Sequence, residues 1–339
     1  MTLTSAAADI WKQHEFDDLG PVPAKGHSLT FSQSIRTLVQ NLFPILLFPK
    51  VILRSAPLRS WRLASSAYSE FRDYIFLLTQ RAKLLGPTEG ERANLLHALV
   101  SGSSDVSRDS LSDDEVLAHM FTYVLAGHES TGNTMAYAIV NLAIFQEAQD
   151  WFLGQLDEQL KACQAGSEGM WDYSTTHGSL PAVISLMNES LRLYPACAAV
   201  PKWTADAPAE IHSNGHKYIV PPRTPVVINT IAVHRDPKLW GEDVLEFRPQ
   251  RWIEDSPRKG QFMAFSEGAR ACLGKKFAQV EFVAVIATLF SRFRLELDCG
   301  PGENIEIVRD RAIATLDGST ILANLGMTKE VPIRFVERV

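Results

Sequence analysis

Phe265-Ser-Glu-Gly268-Ala-Arg270-Ala-Cys272-Leu-Gly274 is the stretch on which the reading of this chain turns. It places a cysteine just ahead of a helical pattern that starts near Lys275 and runs to Phe293. The first turn of a helix presents unpaired N–H groups and a partial positive charge, and both favour the thiolate, the form of cysteine that binds metal. Gly268 and Gly274 leave the backbone free to fold tightly around the sulfur, Phe265 can shield it from water, and Arg270 is placed to meet a carboxylate. A lone loop cysteine would read first as an inert buried thiol. Here F-x-x-G-x-R-x-C-x-G fixes five residue types together, a match that chance supplies on the order of once in ten thousand such chains.

Three further stretches stand upstream of this loop. The longest helical pattern covers residues 113–145 without a proline, opened by Ser112-Asp-Asp-Glu115 as a capping box. Its middle (Met120, Phe121, Val124, Leu125, then Ala136, Ile139, Val140) is apolar nearly all round, which predicts a helix through the interior. His119, His128 and Glu129 near its centre make a membrane-spanning helix costly. Within it stands Ala126-Gly127-His-Glu129-Ser130-Thr131, with Gly127, Ser130 and Thr131 on one face by their spacing of three and four. Read alone, small and hydroxyl residues there also mark a kink or close helix packing. The second stretch, Glu189-Ser-Leu-Arg192, is an i,i+3 pair in a helix predicted over about 180–194, which in isolation reads as a surface ion pair. The third is Phe247-Arg-Pro249-Gln-Arg251-Trp252.

These four stretches, in this order, resemble the cytochromes P-450, the haem-thiolate monooxygenases. The resemblance implies a mainly α fold with small β-sheets, laid out as a single domain over 1–339. It implies that Cys272 is the axial thiolate of a haem (iron protoporphyrin IX) and that Arg270 pairs with a propionate, with Phe265, Gly268 and Gly274 shaping the loop. Lys202 stands where many relatives have a propionate-binding arginine, Ala126 and Gly127 would let the flat ring approach the helix, and Ala198 to Val200 would lie near the substrate face. Glu129 with Ser130 or Thr131 would relay protons to the distal oxygen; the family usually carries threonine where this chain has Ser130. Glu189, Arg192 and Arg251 would form a buried network that serves folding rather than chemistry.

By the same resemblance the reaction inserts one atom of O₂ into a small apolar organic substrate. Electrons would come from an NADPH-dependent cytochrome P-450 reductase, since no G-x-G-x-x-G fingerprint is present. The loops point to a eukaryotic, fungal type of member, in secondary metabolism. The motifs place the resemblance from about Arg54 onward. What precedes Gly127 is short for the family, and the family's haem-gripping Trp-x-x-x-Arg is missing, so the reading is of an N-terminally truncated fold. Two other functions stay open here: a haem-thiolate isomerase or dehydratase that needs no reductase, and a non-catalytic remnant.

Composition narrows the classes further. With 46% hydrophobic residues in 339, the chain can bury a substantial core, and its net charge of −6 with no basic stripe excludes nucleic acid as a partner. Cys163, Cys197, Cys272 and Cys299 are scattered, which argues against a disulfide framework or a thiolate zinc site. Residues 1–20 lack a signal pattern, and the apolar run from Leu42 to Leu53 is too short and proline-broken to span a bilayer. That run reads either as a buried loop with a short helix or as a peripheral membrane contact. Full-length eukaryotic relatives reside in the endoplasmic reticulum membrane; for this chain the location stays open. Other predicted elements are helices over 61–85, 92–99 and 148–163, a polar loop over 101–105, and strands over 217–220, 225–231, 305–308, 319–323 and 331–336.

Overall fold

A computed structural model describes residues 22–85, 96, 98–100, 111–164, 177–213, 215–255, 260–321 and 324–338. They fall into two compact units, one ending at His128 and one running from Glu129 onward. Most of the predicted helix over 92–99 and the loop over 101–105 lie outside the described residues.

The first unit is helical. Helix α1 (Phe31–Gln40) opens with a capping box: the Thr30 hydroxyl accepts from the Gln33 N–H at 3.1 Å, and the Gln33 side chain accepts from the Thr30 N–H at 3.0 Å. Two six-residue helices follow, α2 (Leu42–Leu47) and α3 (Lys50–Ser55), separated by Phe48 and Pro49. Then comes α4 (Arg59–Leu85), which buries Ala64, Ala67, Phe71, Ile75, Leu78 and Ala82, a stripe at helical spacing. The stripe packs with Ile35 and Leu38 of α1 and with Leu117, Met120, Phe121 and Val124 at the start of the next helix.

The apolar run over 42–53 is not a buried loop. It is helical, and Leu46, Leu47 and Val51 are 67%, 70% and 77% exposed, with only Leu53 buried in α3. Helices this short, cut apart by a proline, have too few turns to direct a continuous stripe inward.

Helix α5 (Asp113–Ile144) carries the chain from the first unit into the second. Its predicted box is formed: the Ser112 N–H and the Glu115 N–H are each bonded to the other residue's side chain, at 2.8 and 3.3 Å. The expectation of an interior helix holds for its C-terminal half alone. Met135 and Tyr137 to Ile144 are buried there, whereas Met120, Phe121, Val124 and Leu125 are half-buried.

In the second unit the core joins that half-helix to α6 (Gln146–Gln164), α7 (Pro181–Leu193, Pro at its first turn) and a later helix led by Phe282, Ile286 and Phe290. Four two-stranded antiparallel sheets are described around this core. Strand β1 (Ala199–Trp203) pairs with β4 (Pro225–Asn229), and β2 (Ala209–Ser213) with β3 (His216–Val220). The predicted strand over 225–231 stops at Asn229, whose side chain accepts from the Ala232 N–H at 3.0 Å and so starts α8 (Thr230–His234). Short helices α9 (Pro237–Trp240) and α10 (Arg251–Glu254) lead to α11 (Lys275–Phe290). That helix ends three residues before Phe293, which instead opens β5 (Phe293–Leu297).

Residues 305–308 are helical rather than extended. Ile305-Glu-Ile alternates like a strand, but Ile305 and Ile307 face solvent, while Val308, Ala312 and Leu316 make the buried face of α12 (Ile305–Asp317), capped by Asn304. Strand β6 (Thr320–Ile321) pairs with β7 (Leu325–Gly326), and β5 with β8 (Ile333–Glu337). Residues 322 and 323 of the predicted strand over 319–323 lie outside the described residues. Mainly α with small sheets is the fold observed.

Candidate functional site

The cysteine loop is closed by its own backbone. The Cys272 N–H donates to the Phe265 carbonyl at 2.8 Å and the Ala271 N–H to the Gly268 carbonyl at 3.0 Å, around a single 3₁₀ turn at Gly268–Arg270. Gly268 has φ +75°, a conformation that few side chains tolerate, and Ser266 shares it at +57°. With Gly274 as the residue before α11, the cysteine sits at the mouth of that helix, two residues ahead of its cap. Its thiol is exposed, not packed into the core. A Cβ on Gly274 would stand 3.8 Å from the sulfur, so a larger residue there would begin to cover it.

Leu273 and Phe277, beside the thiol in sequence, are 86% and 67% exposed, an apolar surround open to solvent. The side chains of Arg270 and Lys202 form neither hydrogen bonds nor ion pairs among the described residues, although both are charged and exposed. Lys202 lies in β1, opposite Val226. An accessible thiol, apolar neighbours and two unengaged cations fit a flat apolar group that carries carboxylates. The residues present therefore suit haem.

Behind this loop lies a buried ionic cluster. Glu189 and Arg192 on α7 are both fully buried and paired at 2.8 Å. All of the guanidinium of Arg192 is used: two contacts go to Glu189, and the rest go to the carbonyls of His234, Val244 and Glu246 at 3.1, 2.6 and 3.1 Å. Glu189 also accepts from Arg251 Nε (3.1 Å), the Arg248 N–H (2.9 Å) and Trp252 Nε1 (2.9 Å). The sequence motifs at 189–192 and 247–252 thus meet in space, and each buried charge has its partners.

His234 ties this cluster to the approach of the cysteine loop. Its Nδ1 donates to the Arg192 carbonyl at 3.2 Å, and its Nε2 accepts from the Met263 N–H at 2.8 Å. Met263 in turn accepts from the Ser266 N–H at 2.9 Å. Burial pushes His234 down to about 4, so the ring is neutral, as its acceptor role toward Met263 requires. In sequence the stretch Ala232–Pro237 with Trp240 looks like the family but takes no catalytic role, and the contact to Met263, 29 positions away, is not legible there.

Ala126 and Gly127, predicted to let the ring approach the helix, lie near the end of the first unit, and the predicted relay residues Glu129, Ser130 and Thr131 begin the second. A Cβ on Gly127 would meet nothing within 4 Å. Thr131 is buried, and the Ser130 carbonyl accepts from the Thr134 hydroxyl at 2.7 Å. Glu129 accepts from Asn324 Nδ2 at 3.2 Å, a partner that no sequence spacing announced. Cys197 was likewise missed. Burial of its surroundings pushes its thiol up, and the neighbouring Cys272 pushes in the same direction, which puts the segment after α7 within electrostatic reach of the loop.

Comparison with known proteins gives the same family. The sequence profile described as cytochrome P-450 matches residues 18–315, reaching back beyond Arg54, where the motifs alone place the start of the resemblance. A cytochrome P-450 monooxygenase of Postia placenta is 31% identical over 307 residues, covering 89% of this chain and 57% of that protein. A second, from Penicillium roqueforti, is 28% identical over 349 residues, covering 93% of this chain and 59% of that protein. The chain therefore spans less than two thirds of the length of both. The crystal structure of a cytochrome P-450 superposes with a TM-score of 0.70 at 21% identity, over 92% of this chain and 66% of that one.

Proposed function

The chain belongs to the cytochrome P-450 family, whose cofactor is haem held by a cysteine thiolate, and on that premise we propose that it works as a monooxygenase on a small apolar organic substrate. When bound, the haem would supply the activation of O₂ by reducing equivalents drawn from NADPH through a reductase. The observation that carries this reading is the exposed Cys272 thiol, in a loop closed on itself at the mouth of α11.

Each residue then has a task. Cys272 would ligate the iron, with the helix mouth favouring its thiolate. Arg270 and Lys202, both unengaged, would meet the propionates. Leu273 and Phe277 would lie against apolar surface and keep water from the sulfur. Glu129, with Ser130 or Thr131, would pass protons from solvent toward the face of the helix that the haem would approach. Glu189, Arg192, Arg251 and His234 would hold the loop in place without touching substrate.

The test is isotopic. With haem, reductase, NADPH and ¹⁸O₂ supplied, product should gain a single ¹⁸O atom. Product formed without NADPH and free of label would instead mark an isomerase or dehydratase.

A second observation supports a peripheral membrane contact. Phe43, Leu46, Leu47, Val51 and Ile52 are exposed apolar side chains on the consecutive short helices α2 and α3, while no described helix is long and apolar enough to cross a bilayer.

A further inference from the structure

Three residues one turn apart on α5 (Glu129, Asn133 and Tyr137) engage one short segment near the C-terminal end, the β6–β7 hairpin and its approach. Tyr137 donates to Ser319 Oγ at 2.8 Å, and the Ser319 hydroxyl donates in turn to the Leu316 carbonyl at 2.6 Å. Asn133 Nδ2 donates to the Leu325 carbonyl at 3.1 Å. The hairpin comes so close that a Cβ on Gly326 would stand 3.0 Å from that amide. Its far side is fixed as well, because the Leu325 N–H donates to the Ala196 carbonyl at 3.0 Å, in the segment that carries Cys197. From this anchored base Asn324 Nδ2 reaches Glu129 Oε2 at 3.2 Å, the one hydrogen bond that the described residues give this carboxylate.

We propose that Asn324 is a positioning residue that clasps Glu129, so that the β6–β7 hairpin sets where the proton-relay carboxylate points. The proposal rests on the monooxygenase reading for its purpose and on geometry for its contact. A half-buried glutamate at a helix surface still has several rotamers open to it. A neutral amide donor mounted on a hairpin with three separate ties to its surroundings selects one of them, and it leaves the second carboxylate oxygen free to carry a proton. An amide suits that task better than a lysine or arginine, which would lock the carboxylate into an ion pair. The clasp also makes the hairpin a lever: a ligand that displaced it would move the relay.

The contact is tested on the folded chain without turnover. Asn324→Asp places a second carboxylate beside the first, and two ionised carboxylates at that distance repel. Its melting temperature should fall, relative to the parent, as pH rises from about 4 to 8. Adding Glu129→Gln should abolish that pH dependence, and Asn324→Leu should show none. A melting curve for Asn324→Asp that tracks the parent at every pH overturns the clasp.

The purpose is tested on the haem-loaded chain. Asn324→Leu should lower product formed per NADPH consumed on the order of tenfold, the scale of losing one hydrogen bond to a charged group, while leaving the spectral Kd for substrate unchanged. The double variant with Glu129→Gln should be no worse than Glu129→Gln alone. Multiplying losses, or an unchanged yield in Asn324→Leu, overturn the positioning role. A parent chain that forms no oxygenated product while the melting coupling persists would retire the monooxygenase reading and the relay purpose with it.

Discussion

Glu189 and Arg192 show how far a three-residue spacing can be read. In sequence they are an ordinary i,i+3 pair; in space they are wholly buried, and Arg251 joins them from 62 positions away. The family resemblance supplied that third partner, since periodicity carries no information about long-range meetings. Removing the carboxylate in Glu189→Ala would strand the buried Arg192 guanidinium without a counter-charge, while Arg251 keeps Asp243, at a cost of ~3–5 kcal/mol, read as a lower urea midpoint. The stretch Ala232–Pro237 looks like the family in sequence, but nothing in it pointed to the contacts of His234. Its value of about 4, against 6.5 in an unfolded chain, means the unfolded state takes up a proton first on acidification. The stability this neutral ring contributes is therefore complete above pH 6.5 and is lost as pH falls toward 4, by at most about 3 kcal/mol. His234→Gln can still accept from Met263 and donate to Arg192 but cannot titrate in that range. Melting curves should show it flatter than the parent between those two pH values.

At the scale of elements, helices with a capped start and a long buried stripe were legible, and α4 through α7 fall close to where their patterns place them. The failures share a cause. Ile305 and Ile307 alternate as strand residues do, and only the positions of Val308, Ala312 and Leu316 against the core reveal α12. Phe293 was absorbed into the preceding helix because it continues that apolar pattern, and the strand it opens went unassigned; tertiary pairing with β8 decides it. One buried side chain then glues this strand in place. Gln149 accepts from the Leu295 N–H at 2.6 Å and donates to the Leu295 carbonyl at 2.8 Å, as a strand neighbour would. Gln149→Leu takes the partner from the buried Leu295 N–H, while the Leu295 carbonyl keeps Gln146 Nε2 at 3.1 Å, and equilibrium unfolding should register a loss of about 1–3 kcal/mol. Amide exchange at Leu295 should rise with it.

At the scale of the whole molecule, the loop at Cys272 carried the family, because five fixed residue types leave little to chance, and the fold class followed from the family. The surface did not follow. A string of apolar residues over 42–53 looks the same whether it turns inward or outward, and only the chain path shows Phe43, Leu46, Leu47 and Val51 facing solvent. If that surface meets a bilayer, Leu47→Glu with Val51→Glu should weaken sedimentation with neutral phospholipid vesicles severalfold and leave the far-ultraviolet dichroism unchanged. Equal binding by the double variant would remove the membrane proposal. The partners of the relay were equally hidden: Asn324 lies 195 positions from Glu129, and the small hairpin that presents it has no strong pattern of its own.

We assign haem ligation to the thiolate of Cys272 rather than to that of its neighbour Cys197. The direct measurement is the reduced carbon monoxide difference spectrum of the haem-loaded chain, recorded beside Cys272→Ala and Cys197→Ala. The parent and the Cys197 variant should both give the red-shifted Soret band of a thiolate complex, and the Cys272 variant should lose it. A band that survives in Cys272→Ala, or a soluble parent that takes up no haem, would contradict the account.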